Sequence, residues 1–394
     1  MIILQIANDF CHTKVHMNLF KRLDDKGVEQ VIYNPVRNKE YIGRNSFDGK
    51  STKIVYSHVV KPFHRYVYHI KRRTVFKDLL SKVNVNSINL SYASTLMTDG
   101  GLAYLLYKKY HIPYIVAVRN TDINGFMELA PHTWWDCIHI LLHAERIFFI
   151  SEGLKQKFES HFIVRLILER IKGKFVLMPN GIDDYFLNNI STGVCKEHKV
   201  MYVGDFSNNK NVVRLCKAIL RLRQQKGFED TVLTIVGGGK NETDEVEKMI
   251  VANPEAFNYV GKVYEKDKLC SIFRSNSIFA MPSIHETFGL VYLEALSQNL
   301  PVLYTKGQGI DGLFADTVGI GVNPLSEYEI YAALKEMLFN RDRYYNKDVD
   351  FSAFRWDNIA DKYIEHYKDC LGIAGVNRSL LVGFKKAEKV KKNS

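Results

Sequence analysis

Two carboxylates eight positions apart, Glu286 and Glu294, bracket a short stretch suited to holding an anion. The segment runs Ala280-Met281-Pro282-Ser283-Ile284-His285-Glu286-Thr287-Phe288-Gly289-Leu290, then Val291-Tyr292-Leu293-Glu294. An apolar strand leads into a Pro/Ser loop, and a helix is expected to start near Phe288–Gly289. Gly289 lets a ligand approach the backbone. The amides of Phe288, Gly289 and Leu290 lack carbonyl partners at a helix start, and with the positive end of the helix dipole they suit a diphosphate. Carboxylates on either side would repel phosphate unless they hold hydroxyls, so the pattern calls for sugars at both ends.

Short apolar runs that alternate with helical patterns must position these groups, which implies parallel sheets covered by helices. Strands are expected at 2–7, 29–33, 53–56, 87–90, 114–118 and 146–150, then at 175–178, 199–203, 231–236, 257–260, 277–281 and 301–304. Each half holds enough of them for its own doubly wound sheet, and ligands in such folds bind at the carboxyl ends of the strands. With 394 residues, 46% hydrophobic content and only nine Pro, the chain can bury two such cores. Six scattered Cys with no C-x-x-C pair argue against zinc or redox dithiols and fit a reducing, cytoplasmic setting. No stretch is apolar for long enough to span a bilayer.

Charge divides the chain. Residues 1–174 carry +11, residues 175–370 carry −5 and the tail 371–394 carries +5. The step suggests a boundary near 175, with an N-terminal domain at 1–174, a C-terminal domain at 175–354 and a basic tail at 372–394. A basic first half points to an anionic partner. Within residues 61–82, Arg65, His69, Arg72, Arg73 and Lys77 recur at near-helical spacing, as on a helix that rests on anionic lipid headgroups. A solvated helix face is the plainer reading of the same pattern.

Other segments fall into a known order. Met178-Pro179-Asn180-Gly181-Ile182-Asp183 is similar to a P-N-G-V-D motif. The loop from Gly204 to Lys210 is similar to G-R-L-x-x-x-K-G. Leu233–Gly237 resembles I-V-G, Gly261-Lys262-Val263 resembles G-x-V, and Asn299-Leu300-Pro301-Val302 resembles G-x-P-V. Together with the paired glutamates, this series resembles the family 4 glycosyltransferases, whose GT-B fold sets two Rossmann-like domains across a cleft. The resemblance implies that Glu294 holds the donor ribose and Glu286 faces the donor sugar. Thr287, Phe288, Gly289, Leu290, Gly204 and Val263 would line the nucleotide-sugar site, and Lys210 would neutralise the diphosphate as it leaves. Asp122 would bind the transferred sugar or orient the acceptor hydroxyl, and a cap of the adjoining turn is the plainer reading of the same residue. Asp205 stands where the family usually has Arg, so Arg119 or His12 from the facing domain are candidates to supply that cation. The helix beginning at Phe354-Arg355-Trp356 and running to 371 resembles the family's last helix, which returns to the first domain.

The implied activity is retaining, metal-independent transfer of a sugar from a nucleotide-sugar donor to an acceptor hydroxyl, with no cofactor. A saccharide or lipid-linked saccharide acceptor follows from the same resemblance, in polysaccharide or glycolipid synthesis at the inner membrane face. A GT-B epimerase would use the same nucleotide site without an acceptor. A nucleic-acid-binding protein is suggested only by the basic half and has no reader motif beside it. Asp348-Val349-Asp350 imitates a metal-binding D-x-D but follows a probable helix, far from any strand-loop site. No Ser-His-Asp or Cys-His arrangement can be assembled.

Overall fold

The computed structural model describes residues 1–65 and 67–373. The expected basic tail therefore lies almost wholly outside the described residues. Thirteen short strands form two all-parallel sheets. The first sheet contains β1 (Ile2–Ile6), β2 (Glu29–Pro35), β3 (Thr52–Ser57), β4 (Leu90–Ala93), β5 (Tyr114–Ala117), β6 (Arg146–Phe149) and β7 (Phe175–Leu177), in the order β3-β2-β1-β4-β5-β6-β7. The second contains β8 (Lys199–Gly204), β9 (Val232–Gly237), β10 (Phe257–Gly261), β11 (Ile278–Ala280), β12 (Val302–Thr305) and β13 (Gly319–Val322), in the order β10-β9-β8-β11-β12-β13.

Each sheet is covered on both faces, so its central strands are buried on both sides and read as unbroken apolar runs rather than alternating ones. Ile147, Phe148 and Phe149 of β6 are all buried, as are Ile278, Phe279 and Ala280 of β11. This is the two-domain Rossmann-like architecture, with loops from both sheets turned toward a common cleft.

Three expectations about the strands are corrected. Residues 175–177 do not open the second sheet: Phe175, Val176 and Leu177 pair with Ile147, Phe148 and Phe149 as the seventh strand of the first. The charge step at 174 thus falls inside the first domain, because net charge records the surface and not the hydrogen-bond ladder. The strand placed at 87–90 lies at Leu90–Ala93, and residues 85–87 form a 3₁₀ turn ahead of it. β13 went unseen because Gly319-Ile320-Gly321-Val322 is half glycine. Gly319 sits at φ +155 with its Cα against the Val302 carbonyl, so any side chain there would collide with β12.

The final helix, Trp356–Cys370, packs against the first domain. Lys26 pairs with Asp361 at 2.8 Å, the Tyr92 and Tyr363 hydroxyls lie 3.2 Å apart, and the Gln5 amide donates to Tyr367 at 3.3 Å. Trp356 also closes over Gly181, where an added Cβ would lie 2.6 Å from the indole. The chain therefore crosses between domains at both 181 and 356, where Ile182 N donates to Phe354 O at 3.1 Å.

Candidate active site at the interdomain cleft

Three loops at the carboxyl ends of β8, β11 and β12 build the second-domain wall. Asn209 ties the first to the second: its carbonyl accepts from Ile284 N at 2.7 Å, and its side chain exchanges bonds with the His285 backbone at 3.0 Å in both directions. The third loop holds the second from its other side. Thr305 Oγ1 donates to Ser283 O at 2.5 Å, Gln308 Nε2 to Ile284 O at 3.1 Å, and Glu286 N donates to Gln308 Oε1 at 2.7 Å. Glu286 is thus fixed on a braced backbone rather than on a free loop.

Its carboxylate meets Lys210 Nζ at 2.8 Å, with the two side chains only 10% and 26% exposed. The other oxygen accepts from Thr287 N at 3.1 Å. Gly289 follows at φ +75, and a Cβ there would strike the ring of Tyr292. Glycine is required at this position by both the backbone and the space. The helix begins at Leu290, one to two residues later than expected, with Gly289 as a cap that offers no side-chain acceptor. Among the described residues the amides of Phe288, Gly289 and Leu290 find no hydrogen-bond partner. They are the unsatisfied donors that a phosphate would complete.

Glu294 lies one turn further along the same helix. Burial, and then the nearby Asp183, push its carboxyl up to about 7, against a smaller opposing effect from Lys266. Asp183 caps the helix Asp184–Asn188 by accepting from Tyr185 N at 2.9 Å, and it pairs with Lys266. This end of the site is therefore acidic and suited to hydroxyl donors, while the Lys210 end is cationic. Val263 is half-buried after β10. Gly204 is explained by packing: an added Cβ would meet the Tyr202 hydroxyl at 2.7 Å, and Gly237 abuts its carbonyl. Asp205 points its carboxylate at Ser207 N, 3.1 Å away, as a turn cap.

The first-domain candidates divide. Asp122 is corrected: it is 1% exposed and accepts from Leu96 N, Met97 N and Arg119 N at 2.9–3.0 Å, so neither oxygen is available to a sugar. Burial pushes it up to about 6 despite those bonds. It braces the start of the helix Thr98–Tyr110. Asp122→Ala leaves three amides unsatisfied in the interior and should cost roughly 2–4 kcal/mol. A chemical denaturation curve would show this as a lower midpoint, with KM for the donor unchanged.

Arg119 donates its Nε to Ser94 O at 3.0 Å and stands among buried acids. Asp9, which burial alone would raise, is held well below its usual range by His16 at 3.0 Å and by Arg119. Asp99 is buried and accepts from Ser94, Thr95 and Asn8, with burial and Asp9 pushing it up to about 7. It lies within the first turn of the helix Thr98–Tyr110. His12 is exposed and packs edge-on against Tyr41 at 4.6 Å, so the structure does not bring it to Lys210 or Glu286. In the basic helix Tyr68–Lys82, Arg72 is corrected too. It turns inward to Asp136 at 2.6 Å and lies over the Tyr68 ring, which leaves Arg73 and Lys77 exposed.

The first-domain residues that join the two walls were missed, although their partner Thr287 was expected in the site. Asn120 Nδ2 donates to Thr287 Oγ1 at 2.9 Å and Ser151 Oγ to Thr287 O at 3.2 Å. Gly153, in the first turn after the Ser151 cap, comes so close to the other domain that an added Cβ would lie 2.5 Å from Gly307 O. Only the strand-end placement of these residues could have signalled them.

Residues 197–340 match the family profile described as Glycosyl transferases group 1. The second domain is thus similar to that of group 1 glycosyltransferases. An uncharacterized glycosyltransferase of Methanocaldococcus jannaschii is 23% identical over 301 residues, 76% of either chain. A GDP-mannose-dependent alpha-mannosyltransferase of Mycolicibacterium smegmatis is 27% identical over 276 residues, covering 65% of this chain and 67% of that protein. The sucrose-phosphate synthase structure from Thermosynechococcus elongatus superposes with a TM-score of 0.71 at 14% identity, over 95% of this chain and all of that one. The domain that matches the profile carries the Lys210–Glu286 pair, the unpartnered amides and Glu294. The first domain supplies the facing wall through Asn120, Ser151 and Gly153. Among the described residues no helix is long and apolar enough to cross a membrane, and no group of three or more His, Cys, Asp or Glu could hold a metal ion.

Proposed function

We propose that this glycosyltransferase takes a nucleotide sugar as donor, transfers the sugar to an acceptor hydroxyl and retains the anomeric configuration. The observation that carries the reading is the sequence of groups along one loop and helix: Lys210 on Glu286, three free amides, then an acid at the nucleotide end. The donor named for the M. smegmatis relative is of the same class. The ribose hydroxyls would donate to Glu294, the diphosphate would sit on the amides of Phe288–Leu290, and Glu286 would accept from hydroxyls of the sugar. As the bond from the anomeric carbon to the diphosphate oxygen breaks, Lys210 and the amides meet the charge that develops, so the chemistry calls for no metal. The acceptor oxygen forms the new bond and its proton passes to the departing phosphate. The commitment of Asp122 to backbone amides favours this front-face course over a covalent intermediate on that side chain.

Donor consumption that requires added acceptor tests the reading against an epimerase, which would turn over donor alone. The acid at 294 adds a pH dependence. Hydroxyl donors prefer the ionised carboxylate, so a ligand must displace a proton below about pH 7. Donor affinity should fall up to about tenfold per pH unit below that point and level off above it; Glu294→Gln should flatten the profile, as titration calorimetry would show.

The first domain offers a surface to lipid. Phe63, Val67 and Ile70 are 38–50% exposed beside Arg73 and Lys77, the His69 and His132 rings lie 6.3 Å apart, and Trp135 is exposed as well. Apolar side chains ringed by cations suit the face of an anionic bilayer, where a lipid-linked acceptor would reside. Arg73→Glu with Lys77→Glu should weaken binding to phosphatidylglycerol vesicles by at least about tenfold. Unchanged sedimentation with the vesicles would contradict this contact.

A further inference from the structure

A cavity of about 410 Å³ lies between the domains beside Glu286. That volume is in the range of small-ligand sites. Its first-domain wall includes Asn120, Asn124 and Lys157, and its second-domain wall includes His285, Lys306 and Gln308. Neither Lys210 nor residues 288–290 line it, so its cations are separate from those that meet the diphosphate.

The charge in this lining is not balanced. Glu286 is its carboxylate and is already paired with Lys210 at 2.8 Å. Lys157 donates to Asn124 Oδ1 at 2.5 Å and lies 3.6 Å from Glu128, a loose pair with both partners more than 40% exposed. Lys306 makes no ion pair among the described residues, and its backbone is fixed by a bond from its N to Val322 O at 2.9 Å. A neutral sugar could be held by Asn120, Asn124 and Gln308, but it would cover the exposed Lys306 and lower the dielectric around it without supplying a counter-charge. An anionic substituent would satisfy it.

We propose that this cavity receives a sugar unit bearing a carboxylate or phosphate group, with Lys306 and Lys157 meeting that charge. The inference deepens the nucleotide-sugar reading and rests on it. The anion has two possible sources: the transferred sugar, as in a uronic acid donor, or the acceptor.

Calorimetric titration separates them in two arms. The donor arm compares UDP-glucose with UDP-glucuronate. The acceptor arm compares glucose with glucuronate and glucose 6-phosphate, each in saturating UDP. In one arm the anionic member should bind roughly tenfold more tightly, about 1.4 kcal/mol, and the arm that shows this identifies the source. Lys306→Gln with Lys157→Gln should reduce the preference to about twofold or less, with UDP affinity unchanged. UDP binding without a charge preference in either arm overturns this inference alone, and so does a preference that survives the double variant. Failure of UDP, GDP and ADP all to bind overturns the nucleotide-sugar reading and this inference together.

Discussion

Lys210→Ala should reduce kcat by roughly 10²–10³-fold while weakening donor binding by less than about tenfold. The asymmetry follows from what the ammonium does. Before reaction it neutralises Glu286 at 2.8 Å, and the diphosphate already carries its charge in the ground state. As the glycosidic bond breaks, further negative charge collects on the phosphate oxygen, and a positioned cation stabilises that increment most. Lys210→Arg would not restore the rate fully, because a planar fork cannot place a point charge at the same spot. Steady-state kinetics decide the matter: equal losses in kcat and donor affinity would mean that Lys210 only binds. Glu286 would also be left partly buried without its partner, so the variant's unfolding midpoint is the control for a general loss of structure.

Gly153→Val should leave nucleoside diphosphate affinity within about twofold of wild type and reduce transfer by roughly 10²-fold. The nucleotide groups belong to the second domain alone, whereas the Thr287 bonds from Asn120 and Ser151 require the domains to meet. The contact point is Gly153 against Gly307 O, where even one added carbon would lie 2.5 Å from the oxygen. A branched side chain would hold the walls apart, admit water and misplace the acceptor. Donor hydrolysis should therefore decline less than transfer. Small-angle scattering with and without nucleotide gives an independent readout, since the variant should fail to compact. Equal kinetics for variant and wild type would remove Gly153 from closure.

The second domain was legible because its function is concentrated in contiguous motifs. Glu286, Gly289 and Glu294 follow one buried strand on a single loop and helix, as their spacing indicated, while Lys210 follows β8 and was legible through the family resemblance. The first domain was less legible. Asp122 stands after a buried strand, where a catalytic acid would stand, yet it bonds amides 25 and 26 residues earlier in the chain, a pairing that no local pattern records. Arg72 has the spacing of a solvated face and is drawn inward by Asp136, 64 positions away. β13 was hidden because glycine, normally a strand breaker, was needed to let β12 pass. Thr287, Gly153 and Gln308 acquire their interdomain roles only when two sheets meet. Such roles depend on tertiary placement and leave little trace in residue type.

Titration of UDP, GDP and ADP into the wild-type protein and into Glu294→Leu tests the central claim most directly, because it isolates the grip of the helix start and its acid from the chemistry. One of the three should bind the wild type at micromolar concentration and bind Glu294→Leu at least about tenfold more weakly, with the loss removed by deleting the ribose hydroxyls. If none binds, or if the leucine variant binds as tightly as wild type, then the loop and helix from Glu286 to Glu294 do not hold a nucleotide.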